Sequence, residues 1–495
     1  MNIDIRAVAR LRGPKAVNAG TVLGPVFEAL TSSDLDLARV RVVCDWIQYR
    51  HNFAEPAQCR PVLAERPGAG EDGQAAENAL EIGLDLRRLG ADSDVATRVK
   101  EALACHAEPA AAERITLEPW VPATESCLWG FNTLYWQALS DWEQASGREY
   151  EQALPGGQSQ ARDTASAREL IGSLLRVWDE LDARRALPDE LYVAELGVGN
   201  GNQARTWLDL FAQLDAAHGR DYHRRLHYLM GDYSPHVLER ARRAVAHHGD
   251  RVSALVLDAT HPQVTLGFLR GKAFCVYISN VYDNLPTDEV AIIGGRPYLV
   301  QVRAYLRQAD AAAIAPPYRA QPGELPALTQ RLLRLGPELL AEAAPGHFDG
   351  TGHAVSFWRD IWQALRLAER YLPLDGLDAY RVSPSVTGEI LRPLLESCGD
   401  VRMHVSNGAL TSFAETLPLL HPFGRLHCYD LFVTEPESYR AGFYGPGKYD
   451  GSVVNWVNGP LLALAGNRRG FDVQMSPPPG SRVGSVKTLT AQVRD

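Results

Sequence analysis

Hydrophobic and polar positions change period along this chain, and the changes divide it into stretches. Apolar residues recur at three- and four-residue spacing over 165–183, 202–218 and 235–247, which predicts amphipathic helices. Short apolar runs at 191–196, 226–231, 254–257 and 273–279 predict buried strands among them. Strands alternating with helices in this order imply an α/β fold with a doubly wound parallel sheet. The strand pattern resumes at 425–433. A last pair, 471–475 and 486–493, would complete the sheet as an antiparallel hairpin around Pro477-Pro-Pro-Gly480.

The flanking stretches have other patterns. Residues 1–160 are expected to be mainly helical and irregular, with helical spacing over 35–49 and 95–104. Pro67-Gly-Ala-Gly-Glu-Asp-Gly73 reads as an exposed loop and Pro155-Gly-Gly-Gln-Ser-Gln as a hinge. Residues 301–404 are rich in helix formers, with 328–343 and 357–372 amphipathic, and read as a helical insertion. The expected division is therefore 1–160, a core at 161–300, the insertion at 301–404, and the rest of the core sheet at 405–495. Trp120, Trp129, Phe131, Tyr135, Trp136 and Trp142 crowd one stretch, which suits a packed core or a subunit contact in a homodimer, with an aromatic wall over a substrate as the alternative.

Composition narrows the class. A chain of 495 residues exceeds one ordinary domain. Its net charge of -10, with both signs mixed along the chain, argues against a nucleic-acid partner. The seven cysteines are scattered without a C-x-x-C pair and read as reduced thiols, neither a disulfide frame nor a metal site. There is no signal-peptide pattern at the start and no apolar stretch long enough to span a bilayer, so a cytoplasmic protein without a membrane partner is expected.

One run carries most of the chemistry: Tyr192-Val-Ala-Glu195-Leu-Gly197-Val-Gly199-Asn-Gly201-Asn-Gln203. A strand ends at an acid, glycines follow at every second position, and a helix opens. Glycine lets the chain turn sharply and lets its amides approach a ligand closely. A dinucleotide loop would read G-x-G-x-x-G, but the third glycine comes one residue early, and no P-loop lysine follows. The pattern fits the methionine end of S-adenosyl-L-methionine (SAM). In an open parallel sheet ligands sit outside the carboxyl ends of the strands, so the other strand ends matter as well. Asp232-Tyr233-Ser234 ends the second strand, where an acid can accept from ribose hydroxyls. Asp258-Ala259 ends the third, where an acid can accept the adenine amino proton and alanine leaves room for the ring. Ser279-Asn280-Val-Tyr282-Asp283-Asn-Leu-Pro286 ends the fourth and would face the methyl group. Each acid also has a plainer reading, as a helix cap or a turn residue.

The runs Glu195-Leu-Gly-Val-Gly-Asn-Gly, Gly-Asp232-Tyr-Ser-Pro and Asn280-Val-Tyr-Asp283-Asn-Leu-Pro together resemble the MidA-like SAM-dependent methyltransferases, a family that includes mitochondrial complex I assembly methyltransferases and bacterial relatives. The resemblance covers about 160–300 and, more loosely, 420–495. It implies a Rossmann-like class I methyltransferase sheet. The N-terminal mainly helical region and the helical insertion lack an obvious counterpart in that family, and the insertion is expected to form an acceptor pocket or lid. It implies SAM as cofactor and S-adenosyl-L-homocysteine as product. For one branch it implies methylation of arginine nitrogen in a partner protein. Aligned on Asp283, this chain carries Ser279-Asn280 where that family typically has Asn-Glu, so a glutamate suited to gripping a guanidinium is absent.

Methyl transfer is an in-line displacement that needs alignment and dryness more than acid–base chemistry. Candidate catalytic residues are Asn280, Tyr282 and Asp283. The candidate cofactor set is Glu195, Gly197, Gly199, Gly201, Gln203, Asp232, Tyr233, Ser234, Asp258, Ala259 and Ser279. His353, His421 and His427 are further candidates for a base. The expected acceptor is a small molecule or a peptide side chain, through N or O. Two alternatives use the same fold: a partner-binding assembly protein with little catalysis, and transfer of an aminopropyl or aminocarboxypropyl group.

Overall fold

The computed structural model describes residues 1–7, 10–11, 16–67, 76–89, 94–107, 113–150, 164–442, 445–478 and 486–494. The proposed hinge after Pro155, the glycine-rich loop beyond Pro67 and the end of the turn at Gly480 lie outside them. The fold is mixed α/β, and the chain divides into two compact units. One comprises Met1–Tyr135, Pro286–Val405 and Glu435–Trp456. The other comprises Trp136–Leu285, Ser406–Thr434 and Val457–Asp495.

The second unit holds the alternating pattern. Its strands are β1 (Leu191–Leu196), β2 (Leu226–Asp232), β3 (Val252–Val256), β4 (Ala273–Ser279), β5 (Leu420–Val433), β6 (Phe471–Ser476) and β7 (Val486–Val493). Its main helices are α1 (Thr164–Ala183), α2 (Asn202–Ala217), α3 (Pro235–Ala244), α4 (Asn407–Thr416) and α5 (Gly459–Arg468). The strands lie in the order 3-2-1-4-5-7-6. β7 is antiparallel to both neighbours, as the hairpin pattern predicts, and the other adjacent pairs are parallel. The chain steps outward from β1 to β2 and β3, then returns to the other side of β1 for β4. The ends of β1 and β4 therefore mark a switch point, where an open parallel sheet leaves a crevice. Trp178 of α1 anchors the core: it is fully buried and meets Phe211, Tyr222 and Phe274 edge-on, each 5.7 Å away.

The first unit corrects the expectation of a mainly helical N-terminal region and a separate helical insertion. Asn2–Ile5, Val40–Asp45, Glu77–Asp85 and Ala57–Leu63 form one ten-stranded sheet with Arg366–Pro373, Arg296–Arg307, Glu289–Ile293 and Val401–His404, and the short strands Arg114–Thr116 and Val121–Pro122 pair with Arg296–Arg307. The stretch 35–49, expected as helix, holds the strand Val40–Asp45, all six residues of which are buried. A strand covered on both faces loses its alternation, and its apolar run then cannot be told from a buried helix. The stretch 357–372 joins the end of the helix Thr351–Ala364 to the strand Arg366–Pro373, in which every second residue is buried. The expected helix at 95–104 is present within Val95–Ala107, while the one expected over 328–343 falls in Leu325–Ala343 and is broken at Gly336, where φ is +75° and Pro337 follows. The second unit therefore breaks off at Leu285, not 300, resumes at Ser406, and is interrupted again by Glu435–Trp456, which belongs to the first unit.

A layer of paired charge runs through this sheet. Arg41 lies in register with Glu81, and Glu81 with Arg60. Arg60 pairs with Glu81 at 3.0 Å and Glu369 at 2.6 Å, and Glu369 pairs with Arg402 at 2.7 Å. Arg402 also pairs with Glu289. The aromatic stretch is core, as expected for Trp129, Phe131, Tyr135 and Trp142, all buried. Trp120 has the guanidinium groups of Arg303 and Arg370 each 4.7 Å from its ring.

Candidate functional site at the strand ends

The glycine loop leaves β1 with three left-handed residues: φ is +75° at Gly197, +57° at Gly199 and +79° at Gly201. Backbone bonds from Gly197 N (2.8 Å) and Val198 N (3.0 Å) to the Gly231 carbonyl tie the loop to β2. Gly201 serves packing, since a Cβ there would lie 2.6 Å from Ala241 Cα on α3. At Gly199 a Cβ would lie 2.8 Å from the Tyr150 hydroxyl, so this phenol overlies the loop. Two residues beyond Gly201, in the first turn of α2, Gln203 Oε1 is buried without a hydrogen-bond partner.

Glu195 lies beneath the loop, 3% exposed, accepting a 2.6 Å bond from the Tyr228 hydroxyl. Burial, with the nearby charge of Asp232 in support, pushes its pKa up to about 8. Its carboxyl thus supports the strand rather than reaching a ligand. Asp232 is partly buried and accepts from Gly199 N at 3.1 Å and Ser234 N at 3.0 Å. Burial raises its pKa to about 6 against those two bonds. Ser234 is fully buried and caps α3, accepting from Val237 N at 3.3 Å, so its side chain is structural. The Tyr233 hydroxyl accepts from Gln137 at 3.0 Å. Asp258 is exposed and closes its own turn by accepting from Thr260 N at 2.8 Å, with Ala259 partly buried beside it.

The β4 end departs further from expectation. Ser279 is partly buried, and Asn280 is exposed in a left-handed conformation, φ +52°. Strain of that kind at a non-glycine residue gathers at functional sites. The 3₁₀ turn Tyr282–Asn284 carries the next two candidates inward. Tyr282 is 1% exposed, with Ser412 and Thr416 of α4 beside its hydroxyl. Asp283 is 5% exposed, accepts from Asn284 Nδ2 at 2.8 Å and has the Asp430 carboxyl of β5 nearby. Asp430 is the residue that sequence reasoning missed. Its Oδ2 accepts from Val281 N at 3.1 Å and Tyr282 N at 2.8 Å, and its Oδ1 from Leu431 N at 2.7 Å. Burial first, then the Asp430 charge, pushes Asp283 well above the usual carboxylate range. Asp430 itself is raised to about 6 by burial, with backbone bonds opposing. Through its bonds to the Val281 and Tyr282 amides, Asp430 fixes the backbone that follows Asn280. Tyr282 and Asp283 shape this loop and do not face its opening. A carboxylate inside the apolar run Cys428-Tyr-Asp430-Leu-Phe-Val433 was the available signal. Tyr150 had none.

The three histidines are placed elsewhere. His427 lies in β5 opposite Tyr277, and burial pushes it down to about 4. His421 stacks on Phe274 at 4.2 Å. His353 belongs to the first unit, its ring 4.9 Å from Tyr318. All seven cysteines are unpaired. Among the described residues, no helix is long and apolar enough to cross a membrane.

No family model and no curated protein matches the chain. Among solved structures it is similar to an uncharacterized COG1565 superfamily protein from Burkholderia thailandensis, at 15% identity over 79% of this chain and 91% of that one, with a TM-score of 0.41. It is also similar to a COG1565 superfamily member from the same organism bound to S-adenosyl-homocysteine, at 15% identity, 79% and 91% coverage, and a TM-score of 0.43. A third likeness is to the CcbJ methyltransferase from Streptomyces caelestis, at 11% identity over 74% of this chain and 99% of that one, with a TM-score of 0.31.

Proposed function

We propose that the protein is a SAM-dependent methyltransferase with a Rossmann-like class I sheet, of the MidA-like kind, acting on nitrogen or oxygen of a small molecule or a peptide side chain. One observation carries the reading. Three left-handed glycines stand at the switch point of the sheet, the middle one, Gly199, bonded to Asp232, with the unpartnered Gln203 Oε1 buried close by. The donor set fits the cofactor. Gly197 and Gly199 hold left-handed turns packed against Val281 and the Tyr150 hydroxyl, which set the loop backbone where the methionine end would lie, and Gln203 Oε1 would accept from its ammonium. Each Asp232 oxygen keeps a lone pair for a ribose hydroxyl. Asp258 would accept from the adenine amino group, with Tyr233 and Ala259 lining that side.

When bound, SAM supplies a methyl group on a positively charged sulfur. Ser279 and Asn280 would orient the acceptor by hydrogen bonds, and the Asp283–Asp430 pair holds their loop in place. No group at the β4 end is a ready base, so an acceptor that is neutral at working pH suits this site. Calorimetry of the folded protein with SAM and with S-adenosyl-homocysteine tests the reading. Both should bind, and Asp258→Ala should weaken each about tenfold, as loss of one charge-assisted bond of about 1.5 kcal/mol implies. Folded protein that binds neither overturns it.

A further inference from the structure

A second cluster lies at the opposite end of the same sheet, where β2 and β3 begin. Asp209 sits midway along α2, and His247 and His248 lie in the turn Ala246–Arg251 just before β3. We propose that Asp209, His247 and His248 bind a divalent transition-metal ion, with Zn²⁺ the best match to the donor set. This inference is independent of the methyl-transfer reading.

Both imidazole Nε2 atoms converge on one carboxylate oxygen: His247 Nε2 lies 2.6 Å and His248 Nε2 3.0 Å from Asp209 Oδ1. The three donor atoms lie within 4.8 Å of one another. Tetrahedral zinc with N and O ligands at about 2.0–2.1 Å spaces its donors roughly 3.3 Å apart. Small side-chain rotations would open the cluster to that spacing, and water would fill the fourth position. Two imidazoles and one carboxylate are borderline donors that suit zinc over calcium or magnesium.

The surroundings fit a ligand set. His248 is 5% exposed, and its other ring nitrogen, Nδ1, lies 3.4 Å from His223 Nε2. A metal-bound imidazole characteristically has such an outer partner, which fixes the tautomer. Arg251 holds the frame from outside, with Nε 3.0 Å from the His223 carbonyl and Nη1 3.4 Å from the His248 carbonyl. A bound ion would tie α2 to the turn that starts β3, which is a structural role.

The test uses full-length protein without a polyhistidine tag. Calorimetric titration with Zn²⁺ should show one tight site per chain, and Co²⁺ should give the visible absorption of a tetrahedral complex. Zn²⁺ should also raise Tm. Asp209→Ala and His247→Ala should each lower affinity at least about tenfold, and His223→Ala by about 10–100-fold, the usual cost of losing an outer partner. His247 is about half exposed, so its variant should fold, which an unchanged metal-free Tm would verify. Absence of saturable Zn²⁺ uptake by the wild-type protein overturns the proposal. So does uptake that is equal in wild type, Asp209→Ala and His247→Ala, which would mark other surface histidines as the binders.

Discussion

At the scale of single residues, burial decides what each side chain at the strand ends can do. Glu195 and Asp258 are both acids at strand ends, yet one is sealed under the loop and the other stands in solvent. The Glu195 carboxyl keeps its proton in the folded chain up to about pH 8, whereas an unfolded chain releases it near pH 4.3. Between these values the folded state holds the extra proton, so stability falls as pH rises. Its full contribution is present below about pH 4.3 and is gone above about pH 8. Glu195→Gln should flatten this part of the profile, by up to about 1.4 kcal/mol per pH unit, in denaturation measured from pH 5 to 8. An unchanged slope would show that Glu195 does not titrate in that window.

At the scale of elements, the loop works because two helices come close behind it. α2 opens at Gly201, whose missing side chain lets it rest against the backbone of α3. Gly201→Ala would both strain a left-handed residue and overpack that contact. A loss of about 2–5 kcal/mol is expected in chemical denaturation, from roughly 1–2 for the backbone and 1–3 for the packing. Asn202→Ala, one residue on, lacks both causes and should cost much less. The β4 and β5 ends form a comparable joint. Asp430 gathers the amides of the turn after β4, so the conformation of Asn280 depends on a residue 150 positions further along the chain.

At the scale of the whole molecule, the two units rest on different chemistry. The second has an aromatic core around Trp178, while the sheet of the first is crossed by buried ion pairs. Burial alone would raise the Glu369 pKa, but Arg402 and Arg60 outweigh it and hold it at about 2. The unfolded value is near 4.3, so this stabilisation is present above that pH and is lost as pH falls toward 2. Arg402→Met leaves Glu369 and Glu289 short of a partner inside the sheet. It should cost about 3–5 kcal/mol at pH 7. The gap from wild type should narrow at pH 2–3, where Glu369 takes up a proton. A difference that does not change with pH would place the cost in packing instead.

The sequence by itself determined what is local. The glycine loop, the strands and helices on either side of it and the closing hairpin follow from period and from backbone freedom, which neighbouring residues set among themselves. Asp258 and Asn280 could also be located from the ends of apolar runs. Only the tertiary structure decided the rest. Residues 1–135 and 286–405 share one sheet because distant strands pair, and fully buried strands such as Val40–Asp45 show no alternation to reveal it. Tyr282 and Asp283 turn inward because Asp430 arrives from another strand, and Asp209 meets His247 and His248 because α2 packs beside the turn before β3. Period along the chain registers which residues are apolar, but a carboxylate's partner is chosen by long-range pairing.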